Sequence, residues 1–221
     1  MTYSWHLEMI WDYRQVFVEG AIVTLELTGV ALVIGVVLGL LFGQMRGGRS
    51  RTLSTVAMIY IETFRSTPTL VQLIWIYYAL PMLTGVQLTA FTSVALGLGL
   101  HMAAYLAEIF RAGINSIDRG QMMAAKAIGM TYFWAMRRII LPQAMRRMVP
   151  PFINEFATLI KLTSLGSTLA VPEILHEANN VIAATFRPLE IYTAVALVFA
   201  FIACPMIALA RMLERSLAAR S

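Results

Sequence analysis

The chain has 221 residues, of which 59% are hydrophobic and only 13% charged, and its mean hydropathy is +0.72. Soluble domains average about 45–50% apolar and about 25% charged residues, so the composition excludes an ordinary water-soluble domain and points to a lipid-solvated one. A net charge of +5 would suggest nucleic-acid binding in a soluble protein. Here the placement of the arginines explains it, and no nucleic-acid partner is expected.

In chain order, residues 1–16 come first. They carry Glu8 and Asp12 and lack a basic stretch ahead of an apolar core, so they do not read as a signal peptide. Tyr3, Trp5, Trp11 and Tyr13 suit a short amphipathic segment at a membrane interface, where such rings settle. Five stretches then have the roughly 20 mostly apolar residues a span needs: 17–45, 53–80, 88–115, 148–170 and 188–211. The expected fold is all-α, a polytopic membrane protein of about five transmembrane helices. Gly35, Gly39 and Gly43 recur every four residues in the first span, a small-residue stripe that lets another helix approach closely. In the second span Glu62 and Arg65 lie three apart and can form a structural ion pair beside Pro68. Glu108 and Arg111 repeat that spacing in the third.

Ionisable groups in a span cost about 2.5–3.5 kcal/mol each on insertion scales and usually face the bundle interior. Gln72, Glu108, Asn154, Lys161, Thr163 and Ser164 are therefore expected to line a polar substrate path. Lys161 would attract a carboxylate and Glu108 an ammonium group. Ordinary interhelical hydrogen bonding is the alternative reading of the same residues.

Lysine and arginine in short loops set orientation. Arg46, Arg49 and Arg51 fall in the first loop. Arg119, Lys126, Arg137, Arg138, Arg146 and Arg147, with Arg111 just ahead, fall in the third. Arg211, Arg215 and Arg220 end the chain, so thirteen of the 17 basic residues share one side. That side is expected to be the cytoplasm, with the N-terminus outside and the C-terminus inside.

The third loop, 116–142, reads SIDRGQMMAAKAIGMTYFWAMRRIILP. Asp118 suits an N-cap, the alanines favour helix, and Gly129 suits a left-handed residue just past the helix end. Thr131 can cap a second short helix, with Pro142 marking where it gives way to the next span. Two short helices are expected, the first presenting methyl groups to whatever approaches. A docking element and an idle surface loop both fit. On the opposite side, 171–187 reads as a short surface helix starting near Pro172 and Glu173.

The chain has no ATP site of its own. A P-loop needs a glycine-rich turn followed by Lys, and neither Lys126 nor Lys161 follows a glycine run. His6, His101 and His176 are scattered and have no partners at metal-ligand spacing. Cys204 is alone in an apolar stretch, so no disulfide framework exists.

Ala124-Ala125, Gly129 and Ile140-Leu141-Pro142 have the spacing of the "EAA" coupling loop, and the chain resembles ABC-importer permeases. More narrowly it is similar to the polar-amino-acid subfamily, through TLELT (24–28), FRSTPTLVQL (64–73), AAYLAEIFRAGINSI (103–117), GQ (120–121), RRIILPQA (137–144), PPFIN (150–154), KLTSL (161–165) and VPEIL (171–175). The resemblance implies a type I importer domain over 17–215, a cytoplasmic tail at 216–221, and ATPase coupling through Gly120, Gln121, Met123, Ala124, Ala125 and Gly129. It implies partner ATPase subunits holding ATP and Mg, a second permease subunit, an external solute-binding protein, a polar amino acid substrate and a bacterial inner membrane. Met123 stands where the family usually has Glu, and Leu162 where it usually has an acid. An opine or ectoine-like solute fits the sequence nearly as well. A self-sufficient channel or secondary transporter is the rival class.

Overall fold

The computed structural model describes residues 4–6, 8–48 and 50–218; Tyr3, Arg49 and Arg220, used above, lie outside them. Among the described residues every regular element is a helix. These are α1 (Glu8–Asp12), α2 (Arg14–Gly47), α3 (Arg51–Ser66), α4 (Thr69–Thr84), α5 (Ala90–Asn115), α6 (Arg119–Ala127), α7 (132–162), a 3-10 stretch (Thr163–Leu169), α8 (Ile174–Thr185) and α9 (Pro188–Ala218). α2, α5 and residues 188–216 of α9 are long and apolar enough to cross a membrane. The 34 residues of α2 reach about 51 Å at about 1.5 Å each, beyond a hydrocarbon core of about 30 Å.

α2 and α5 form the centre of the bundle. Leu27 and Ala31 of α2 are fully buried against Val94, Leu98, Met102 and Leu106 of α5. The glycine stripe makes this approach possible. A Cβ on Gly39 would lie 2.8 Å from Leu106 Cβ and 3.2 Å from Ala103 O, and one on Gly43 would lie 3.1 Å from Ala107 O. In lipid no hydrophobic force drives helices together, so such packing supplies the attraction.

Two expected spans are built differently from the pattern. The second is not one helix: it breaks at Thr67–Pro68, both extended with ψ of 144° and 132°. Proline disfavours helical backbone at the residue before it, so Ser66 ends α3 and α4 restarts at Thr69. The fourth begins far earlier than 148. Thr131 is extended and precedes Tyr132, yet no side-chain cap bond forms there, and the helix runs on past Pro142. Pro142 therefore does not separate a short loop helix from the span.

The reason is a π turn. At Met136–Ile140 the chain widens, and Leu141 N–H donates to Met136 O, five residues back. Proline lacks an N–H and its ring collides with the carbonyl four residues back in an α-helix; a wider turn moves that carbonyl aside. The same device recurs in α4, where Trp75–Ala79 is a π turn, Leu80 N–H donates to Trp75 O, and Pro81 follows.

At the end remote from the arginine-rich loops, α8 packs on the starts of α2 and α9. Ile174, Ala178, Val181, Ile191 and Val195 form its core, with Met9, Tyr13, Val16 and Phe17 against them. The N-terminal segment is clasped there: Arg187 donates to Ser4 O at 3.3 Å and to fully buried Glu190 at 3.0 Å.

Candidate functional site

A cavity of about 460 Å³ opens where α3, α5 and α7 meet, lined by Arg65, Tyr105, Glu108, Arg147, Pro151 and Glu155, among others. Helical spacing assembles it. Tyr105, Glu108 and Ala112 are i, i+3 and i+7 on α5, and Arg147, Pro151 and Glu155 are i, i+4 and i+8 on α7, so each set shares a face. Glu108 accepts from Arg111 Nε at 2.9 Å and also from Arg111 Nη2. The Arg65 guanidinium lies over the Tyr105 ring, 5.4 Å from its centroid. Arg147 donates to Ser116 O at 2.5 Å, tying α7 to the end of α5. Carboxylates and guanidinium groups thus line one recess.

The expected line of path residues does not converge there. Glu108 is in the cavity, but Gln72, Asn154, Lys161, Thr163 and Ser164 are not among its lining residues. Gln72 is spent on its own segment: its Nε2, with two hydrogens to give, lies 2.8, 3.0 and 2.7 Å from Phe64 O, Thr67 O and Thr67 Oγ1. Thr163, fully buried, donates to Ile160 O, and Ser164 donates to Lys161 O, both at 2.7 Å. These hydroxyls close the end of α7, where backbone carbonyls have no helical partner. Lys161 is exposed in the last turn of α7, a favourable place for a cation beside the helix C-terminus. Asn154 is half-buried, and its backbone carbonyl accepts from Thr158.

The Glu62–Arg65 pair also fails. Among the described residues the ion pairs are Glu108–Arg111 and Arg187–Glu190. Arg65 turns instead to Tyr105, because the aromatic face on α5 lies beside it where α3 ends. Glu155 and Arg147 were not singled out for the path. Their four-residue spacing around Pro151 was a readable signal, obscured by starting the helix at 148.

The loop helix α6 is closed at both ends. Asp118 caps it, accepting from Gly120 N–H at 2.5 Å. A Cβ on Gly120 would lie 2.8 Å from Asp118 Oδ1, so glycine leaves room for that cap. At the other end Met130 N–H donates to Ala125 O and Gly129 N–H to Lys126 O, each at 3.0 Å. That is the Schellman pattern, and Gly129 takes the left-handed φ of +83° it requires. Ala125 is buried; Gln121 and Ala124 are exposed, and Met123 is 65% exposed.

At the opposite end Glu173 is fully buried and caps α8, accepting from Leu175 N–H at 3.0 Å and His176 N–H at 2.8 Å. Burial pushes its carboxyl above the ordinary value, against the pull of those two N–H groups.

A helical bundle with three helices long and apolar enough to cross a membrane, and a capped, solvent-exposed helix α6 between α5 and α7, has the form of a membrane permease. Residues 35–219 match the family described as "Binding-protein-dependent transport system inner membrane component", and the chain belongs to that family. It is 43% identical over 178 residues to the probable amino-acid ABC transporter permease PatM of Vibrio harveyi, covering 80% of each chain. It is 37% identical over 216 residues to the glutamine transport system permease GlnP of Escherichia coli K12, covering 97% of this chain and 98% of that one. Among solved structures, a chain of "an amino acid ABC transporter with histidines" superposes with a TM-score of 0.89 at 34% identity, covering 97% of this chain and 100% of the other. The MetNI methionine transporter, at 19% identity and a TM-score of 0.72, shares the fold. The chain is a permease subunit of an ABC importer and carries no ATP site of its own.

Proposed function

We propose that this permease passes a polar amino acid, or a related zwitterion such as an opine or ectoine-like solute, across the bacterial inner membrane. The cavity carries this reading: Glu108 and Glu155 face Arg65 and Arg147 in one recess, complementary to an ammonium and a carboxylate on one small molecule. The names of the full-length relatives support the same class. Lys161 and Asn154 lie farther along α7 and would extend the path where a second permease, identical or paralogous, closes it.

The remaining partners follow from the same reading. ATPase subunits, holding ATP and Mg, dock on α6 at Gln121, Met123 and Ala124, with Gly120, Ala125 and Gly129 fixing its shape. An external binding protein delivers the solute at the α8 end. The arginine-rich end faces the cytoplasm, which puts the N-terminus outside and the C-terminus inside. Each ligand shifts the path between two access states only as far as it favours one of them.

The test is ATP-dependent uptake of labelled glutamine by the permease reconstituted with its ATPase and binding protein. Glu108→Gln is expected to reduce uptake at least tenfold without loss of complex. Wild-type uptake would remove Glu108 from the path.

A further inference from the structure

Glu62 of α3 and Lys161 of α7 are both exposed, and neither belongs to an ion pair; among the described residues those pairs are Glu108–Arg111 and Arg187–Glu190. Their depth gives that exposure a meaning. The Tyr60 hydroxyl, two residues before Glu62, donates to Leu100 O at 2.7 Å. α7 runs antiparallel to α5: a Cβ on Gly113 would run into Met148, and one on Gly166 would lie 3.4 Å from Val94. Lys161 is as far past Met148 as Leu100 is ahead of Gly113, so it too lies near the level of Leu100. That level is close to the middle of α5, Ala90–Asn115, a helix able to cross the membrane. Charged side chains at such depth do not face hydrocarbon; they pair, or they line the interior of an assembly.

Both side chains stand on the open side of the bundle. Arg65 of α3 and Arg147 of α7 line the charged cavity, with Tyr105 and Glu108 of α5 between them. On α3, Thr55, Glu62 and Arg65 are i, i+7 and i+10. On α7, Arg147, Asn154, Thr158 and Lys161 are i, i+7, i+11 and i+14. Each set therefore shares a helix face, and its members are exposed or half-buried. Glu62 thus marks one rim of a cleft and Lys161 the other. A two-fold axis along the membrane normal keeps every residue at its own depth. It also sets the α3 rim of one cleft against the α7 rim of its twin. A surface that pairs with itself in this way needs opposite charges at equal depth on its two rims, because residue i meets j and j meets i. Glu62 and Lys161 meet that condition. A paralogous partner imposes no such condition, since it would supply the complementary charges itself.

We propose that the permease pairs with a second copy of itself across this cleft, Glu62 of each copy bonded to Lys161 of the other near mid-membrane. The seam carries two such ion pairs related by the axis, and each copy shields the other's charge from lipid. Removing one member of a desolvated pair strands its partner, so the two pairs fix the register of the seam. The arrangement also leaves Arg65 to the Tyr105 ring, three residues from a carboxylate that is committed elsewhere. This inference rests on the reading that a second permease closes the path and identifies that permease as the same chain. It is independent of which solute passes.

The experiment uses the permease assembled with its ATPase subunits, in a Cys204→Ser background that removes the native thiol. Two differently tagged copies of the chain are expected to co-purify. With Glu62→Cys in one copy and Lys161→Cys in the other, a short bismaleimide should give a covalent dimer; Glu62→Cys in both copies should give little. Glu62→Lys is expected to lower recovery of the paired permeases by about tenfold or more, and Lys161→Glu likewise, because each sets like charges together. The double variant Glu62→Lys with Lys161→Glu rebuilds the pair across the axis and should restore recovery to within about twofold. Tagged copies that do not co-purify, no mixed crosslink, or a double variant as poor as the single ones would each overturn the proposal. If the charge reversals do not insert, the neutral cysteine pair decides alone: a mixed crosslink upholds the seam and its absence overturns it. None of these measurements reads solute. Wild-type uptake by Glu108→Gln therefore leaves the seam standing, and a missing crosslink leaves the solute reading to its own test.

Discussion

The helices α6 and α8 are both short connectors between spans, and they are built in opposite ways. α6 gets its rigidity from its own ends, from the Asp118 cap and the Gly129 turn, and leaves Met123 and Ile128 65% and 77% exposed. α8 gets its rigidity from its neighbours. Its capping carboxylate is fully buried, Ile174 N–H donates to Thr24 of α2, and Asn179 bonds to Ser167 and to Tyr192 of α9. A helix stiffened from within can be pushed as a unit by something outside the chain. A helix welded to its neighbours moves only when they move. Under the proposed function, α6 receives force from the ATPase subunits, whereas α8 moves with the bundle.

The largest expected effect breaks α6 at its turn. Gly129→Val places a β-branched residue at φ +83°, where even an unbranched side chain costs about 1–2 kcal/mol. Solute moved per ATP hydrolysed should fall at least tenfold in reconstituted vesicles, while the strain is released by local fraying of the exposed α6 turn and the melting temperature of the bundle falls less than for a lesion inside it. The matching lesion at α8 is Gly20→Ala, whose new Cβ would lie 3.0–3.2 Å from the backbone of Glu173 and Ile174. Overpacking of this kind costs about 1–3 kcal/mol and falls on a buried contact between two helices, so the melting temperature in detergent should drop further than for Gly129→Val, with coupling less affected.

A smaller effect follows from Glu173. Its folded carboxyl holds a proton to higher pH than the unfolded one. The folded state therefore binds more protons, and stability is full below the ordinary value of 4.5 and declines as pH rises through the raised folded value. Melting temperature measured from pH 4 to pH 8 should decline, and Glu173→Gln should flatten that part of the curve. The smallest effect belongs to Met123→Ala, which removes an exposed thioether without touching either cap. A change in coupling of less than twofold is expected; a loss equal to that of Gly129→Val would mean that α6 acts through this side chain rather than through its shape.

Features set by a few neighbouring residues were legible in the sequence. The Gly35, Gly39 and Gly43 stripe, the Asp118 cap and the left-handed Gly129 all appear where local pattern put them, because each depends on backbone geometry within a turn or two. Features set by meeting helices were not. The cavity takes Arg65 from α3, Tyr105 and Glu108 from α5, and Arg147 and Glu155 from α7. No local rule says that Arg65 will prefer a ring on another helix to Glu62 three residues away. The prolines misled for a different reason: Pro142 reads as a stop, whereas a π turn lets the helix continue past it. The pair Leu80-Pro81 and Leu141-Pro142 carried that signal twice.

The α2–α5 seam has a consequence for how the chain is made. The glycine groove on α2 matches a partner that does not yet exist when α2 leaves the ribosome, since α3 and α4 are synthesised in between. At about 5–20 residues per second, the groove waits in lipid for some seconds before α5 arrives. During that interval the newborn helix offers its most adhesive face to any small-residue stripe nearby, its twin on a neighbouring chain included. Insertion order, as much as final packing, therefore determines whether the seam closes within one molecule.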